Sequence, residues 1–127
     1  MINLDYLAAK YGQQIGLDAK VEEKTLSTAL NILHEQGIYA LFLWLYQKAD
    51  ERRTLGVGIQ NLFKDKYCPK QLENNESIWS NNKKDALDTV RSVFTIDLRT
   101  MFIAKDLISL TLTYARHAAK TRSGEEN

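Results

Sequence analysis

The chain has little of the residues that staple, break or ligate. Its 127 residues include one cysteine, one proline and two histidines. A lone Cys68 excludes any internal disulfide and fits a reducing, cytoplasmic setting. No Cys/His spacing resembles a zinc site, so no metal or cofactor is expected. One proline, Pro69, and six glycines leave long stretches free to propagate helix. The formal net charge is +1, so no global field draws the chain to nucleic acid or membrane, and any basic surface must be local. The longest apolar run, residues 38–46, falls well short of the about 20 residues that a bilayer span needs. Residues 1–20 carry Asp5, Lys10 and Asp18 and lack the apolar core of a secretory signal. The formal glycosylation sequon Asn75-Glu76-Ser77 therefore carries no weight.

What is present is helical spacing. The hydrophobic fraction of 44% and charged fraction of 26% are those of an ordinary globular protein, and the length suits one domain. Strand-type alternation is hard to find. The expected fold is all-α, a compact single-domain bundle of five to six helices over 1–122 with a frayed tail at 123–127. Leu4, Leu7, Ala8, Tyr11 and Ile15 mark a helix over 3–15, weakened by Gly12 and Gly16. Leu26, Ala29, Leu30 and Leu33 mark a second helix ending at Gln36. A third runs from 38 to about 52. Leu55, Ile59, Leu62 and Phe63 mark a fourth to about Lys66. Residues 67–82, with Cys68-Pro69 and many Asn, Glu and Ser, read as a surface connection. Asn81 or Asn82 would cap a fifth helix bearing Ala86, Leu87, Val90, Val93 and Phe94. The last helix, about 98–121, carries two apolar rows and a narrow polar stripe.

Gly37 separates the second and third helices, because glycine takes a left-handed cap conformation at little steric cost. From Ile38 to Tyr46 there is then no charge and no polar face, and such a helix must be covered on all sides. The run is either bundle core or an interface. Because the last helix is also largely apolar, Tyr39, Leu41, Phe42 and Leu45 are expected in the core, packed on Leu107, Ile108 and Leu112. Trp44 is expected to be buried.

Enzyme signals are weak. His34 and His117 lie in different helices, and Cys68 has no histidine within a turn. Gly56-Val57-Gly58 lacks the lysine and Ser/Thr of a phosphate loop. The pairs Glu22-Glu23 and Asp50-Glu51 read as solvated faces. The basic residues are more suggestive. Lys48 and Arg52 are i,i+4 neighbours with Arg53 adjoining, and Arg116, Lys120 and Arg122 cluster near the end of the last helix. Cations near helix C-termini complement the dipole. The sharper alternative is a phosphate-contacting patch that binds nucleic-acid backbone without reading sequence. The candidate residues are Lys48, Arg52, Arg53, Arg116 and Lys120.

Three segments carry a family resemblance. Ala8-Ala9-Lys10-Tyr11, the junction from Leu33-His34-Glu35-Gln36-Gly37-Ile38 into Ala40-Leu41-Phe42-Leu43, and Ala104-Lys105-Asp106-Leu107 through Tyr114-Ala115-Arg116-His117-Ala118 resemble the small all-helical subunit of type III (RAMP-module) CRISPR effector complexes. That family usually has Asn before the glycine and Leu after it, where this chain has Gln36 and Ile38. His117 stands where an aromatic is usual, and a Trp common a turn earlier is absent. The resemblance implies a non-catalytic subunit of an antiviral ribonucleoprotein. It would be present in several copies, touching neighbouring subunits and the guide RNA and target backbone. The alternative from the residues alone is a helical protein–protein adaptor or homo-oligomeric regulator that uses the 38–46 run and has no nucleic-acid role.

Overall fold

A computed structural model describes residues 4–18, 20–47, 49–65, 68 and 98–125; of residues 49–53 and 123–125 it describes the backbone alone. The described residues form five helices and no strand. They are α1 (Leu4–Gly16), α2 (Glu23–Gln36), α3 (Ile38–Gln47), α4 (Ala49–Lys64) and α5 (Leu98–Glu125). The connection at 69–97, the expected fifth helix with its Asn cap, and Trp79 lie outside the described residues. No helix among the described residues is long and apolar enough to cross a membrane.

The stripes read from the sequence bury together. Leu7, Tyr11 and Ile15 of α1, Leu26, Leu30 and Leu33 of α2, and Leu55, Ile59 and Leu62 of α4 join Leu107, Ile108 and Leu112 of α5 in one core. Inter-helix contacts fix the directions. Gly12 abuts Thr111 and Tyr114 while Gly16 abuts Ala115 and Ala118, so α1 and α5 run parallel. His34 meets Ser109 and Glu23 meets Lys120, so α2 is antiparallel to α5. Tyr11 meets Asp65 and Ile15 meets Gly58, so α4 is antiparallel to α1. Helix α3 closes the ring between α2 and α4 and touches α5 only slightly.

The two glycines that weaken α1 as an isolated helix are what let it dock. A Cβ on Gly12 would lie 2.7 Å from the Thr111 carbonyl oxygen, and one on Gly16 would fall on the Ala115 carbonyl oxygen. Bare backbone at both positions lets the helix axes approach, and small Ala115 and Ala118 face them. The turn that follows is tied by Asp18, whose side chain accepts from the Lys20 N–H at 2.9 Å and whose carbonyl accepts from the Val21 N–H at 3.0 Å.

Several boundaries and burials differ from the sequence reading. Gly37 does stop α2, but with φ 102° and ψ −179°, an extended mirror-image conformation rather than the left-handed helical one. Its N–H is shared between the Ile32 and Leu33 carbonyls, at 3.2 and 3.1 Å. The expected third helix to about residue 52 is two helices, α3 ending at Gln47 and α4 starting at Ala49. Asp50 and Glu51 are the residue types that a new helix N-terminus favours. At the other end α5 runs to Glu125, three residues into the stretch assigned to a tail. Leu41, Phe42 and Leu45 are core, as expected, but Tyr39 is 37% exposed and Trp44 only partly buried. Among the described residues, α2 and α4 cover two sides of α3, and α5 covers little of the third.

Candidate functional site

Ser109, Thr113, Arg116 and Lys120 recur at helical spacing and share one face of α5. Both ends of this row reach α2. The Ser109 hydroxyl and the His34 ring Nε2 are hydrogen-bonded at 2.7 Å. Lys120 Nζ lies 3.7 Å from Glu23 Oε1. Arg116 stands between these ties, partly buried, with its Nε sealed from water and without a hydrogen-bond partner. Among the described residues, no carboxylate pairs with its guanidinium. The row thus contains one unpaired cation and one cation shared with a half-exposed carboxylate.

Arg122, grouped with these residues by sequence, does different work. Its guanidinium donates to the carbonyls of Gly16 at 3.2 Å, Val21 at 3.0 Å and Asp18. Those oxygens belong to the C-terminus of α1 and the turn beyond it, where carbonyls lack intrahelical partners. Arg122 is a clamp that caps α1 and fixes the entry to α2.

Arg52 and Arg53 lie in the opening turns of α4, not at the end of α3, so the C-terminal dipole explanation does not apply to them. Since α4 runs against α1, those turns lie at the bundle end that also holds the last turns of α5 and the first of α2. Arg52 and Arg53 therefore share an end with Arg116 and Lys120, although α4 and α2 lie on different sides of the ring. Lys48 lies outside the described residues.

Sequence reasoning missed a second polar cluster. Asp65, its side chain 6% exposed, accepts from the Tyr11 hydroxyl at 2.5 Å and sits 3.4 Å from Lys10 Nζ. Lys10 in turn lies 5.3 Å from the centre of the Tyr11 ring. Burial, then the bond to Asp65, pushes the Tyr11 hydroxyl well above the ordinary tyrosine range. The Cys68 N–H donates to the Asp65 carbonyl at 3.0 Å, and Cys68 itself is buried. The cluster ties the end of α4 to α1. Its only sequence signal was Tyr11 on an apolar stripe, because the partner lies 54 residues away.

His34 is exposed and, among the described residues, no carboxylate orients its ring. No group of three or more His, Cys, Asp and Glu among the described residues could hold a metal ion. A guanidinium without an ion-pair partner among the described residues, beside a weakly held lysine, suits an anion. No family model, curated protein or solved structure matches the chain.

Proposed function

We propose that the chain is a non-catalytic nucleic-acid-binding subunit whose basic end contacts the phosphate backbone. Following the family resemblance, we place it as the small subunit of a type III CRISPR RNA-guided ribonucleoprotein in the cytoplasm, working in several copies beside other subunits. The observation that carries the binding role is Arg116, a guanidinium without an ion-pair partner among the described residues. An arginine held by its own packing has already lost much of its freedom, so less entropy remains to be lost when a phosphate docks. Lys120 one turn on, and Arg52 and Arg53 at the same end of the bundle, add charge of the same sign. On a chain of net charge +1 such a patch gives modest affinity, which several copies along one strand would multiply.

The test pairs Lys48→Glu with Arg52→Glu. The double variant keeps its helical circular dichroism but loses affinity for RNA in a low-salt gel shift and is recovered less in complex pull-downs. Unchanged behaviour in both assays removes Lys48 and Arg52 from the interface. An adaptor role is the second reading, favoured by Tyr39 at 37% exposure and by a partly buried Trp44 on α3. Light scattering separates the two: a monomer with no partner-dependent change in size counts against the adaptor.

A further inference from the structure

We infer that Glu23 sets the affinity of this basic end by neutralising Lys120 in the free protein, so that an anion using both cations of the α5 row must first displace the carboxylate. The inference rests on the backbone-binding reading above and adds its regulation.

The position of Glu23 is built by the fold. Arg122 holds the Gly16, Asp18 and Val21 carbonyls, and Val21 is buried, so the chain two residues before Glu23 is pinned to the last turns of α5. Lys120 lies two residues before Arg122 on that same helix. Both partners of the 3.7 Å pair therefore stand on fixed backbone. The pair itself is weak. Its side chains are 55% exposed for Lys120 and 41% for Glu23, so water screens the attraction and two mobile side chains must be ordered to keep it.

Arg116, one turn earlier on the same face, has no such carboxylate among the described residues. Side chains four apart on a helix sit roughly 5–6 Å from each other, so one phosphate or two successive ones can meet both cations. The two cations thus differ in availability. Among the described residues Arg116 meets no carboxylate, while Lys120 shares its charge with Glu23. Glu23 also opposes the anion by its own charge. Removing that charge frees a cation and a repulsion together, and Glu22 serves as a control. Glu22 is exposed, one residue earlier, and among the described residues has no ion pair.

The experiment measures fluorescence anisotropy of a labelled single-stranded polyuridine oligonucleotide at low ionic strength. The proteins are wild type, Glu23→Gln, Glu22→Gln, Lys120→Gln and the Glu23→Gln/Lys120→Gln double variant. Glu23→Gln should bind about two- to fivefold tighter, the range that opening one surface pair allows. Glu22→Gln makes the same change in net charge and should shift affinity much less. In the Lys120→Gln background the gain from Glu23→Gln should shrink to the part that comes from Glu23's own repulsion of the anion, which a double-mutant cycle reads directly. If Arg116→Ala weakens binding while Glu23→Gln leaves it unchanged, the role of Glu23 is wrong and the binding role stands. A gain that persists undiminished without Lys120 also overturns the pairing. No binding by wild type or by Glu23→Gln overturns both readings. Matching melting curves for all six proteins, Arg116→Ala included, confirm that the comparison is between folded chains.

Discussion

Tyr11 and Gly37 show how much a single residue can fix here. The Tyr11 hydroxyl is held protonated by burial and by Asp65, so the folded state keeps a proton that the unfolded chain releases near pH 10. A group whose folded pKa is raised contributes stability below its unfolded pKa and loses it above. Unfolding free energy should therefore be level with respect to Tyr11 up to about pH 9.5 and fall beyond about pH 10. Tyr11→Phe should cost about 1–2 kcal/mol at neutral pH, by removing a hydrogen bond to a carboxylate, and should flatten the alkaline fall. Urea titrations at neutral and alkaline pH test both parts, and an equally steep fall in the variant would point to another group. Gly37 is simpler. A Cβ there would meet nothing within 4 Å, so Gly37→Ala carries only the cost of its φ of 102° and ψ of −179°. That region is open to little but glycine, and the variant should lose about 1–3 kcal/mol in urea unfolding. A loss below that range would mean the junction relaxes. The stop itself was legible in the sequence, since glycine after a polar helix end is a strong signal. Its conformation was not, because a left-handed cap and an extended one use the same residue.

At the scale of the helix, packing overruled propensity in α1 and geometry overruled pattern in α3. Gly12 and Gly16 lower intrinsic helicity, and one sequence cannot say that α5 will press against them. Gly16→Ala gains propensity yet places a Cβ on the Ala115 carbonyl oxygen, which is backbone and cannot rotate aside. The expected result is a net loss of about 1–3 kcal/mol, the usual cost of overpacking, seen as a lower urea midpoint. A more stable variant would show that α1 and α5 are not in close contact. The four apolar stripes in α1, α2, α4 and α5 were legible because each faces one core with a period near 3.6. The α3–α4 break was less so, since apolar residues continue through Leu55 and only Asp50-Glu51 hints at a fresh N-terminus. An apolar helix was read as covered all round, yet among the described residues α3 has two substantial neighbours, and Tyr39 is 37% exposed.

Over the whole molecule, antiparallel turns do what sequence spacing cannot. Basic residues more than sixty positions apart, Arg53 and Arg116, come to one end of a nearly neutral bundle. The sequence singled out both clusters but could not sort their members. Arg122 looks like its neighbours on paper and proves to be a structural clamp, because its partners are backbone carbonyls invisible to any charge pattern. Arg116 stands apart through the opposite property, the lack of a partner among the described residues. The central claim is that this cation and Lys120 bind phosphate backbone. The most direct measurement is the affinity of a labelled single-stranded RNA for wild type and for the Arg116→Ala/Lys120→Gln variant, taken across a series of salt concentrations. The account predicts roughly tenfold or greater weakening at low salt, and a log–log salt slope shallower by about 1.4 for two lost single-strand phosphate contacts. Equal affinities with equal salt slopes would contradict it.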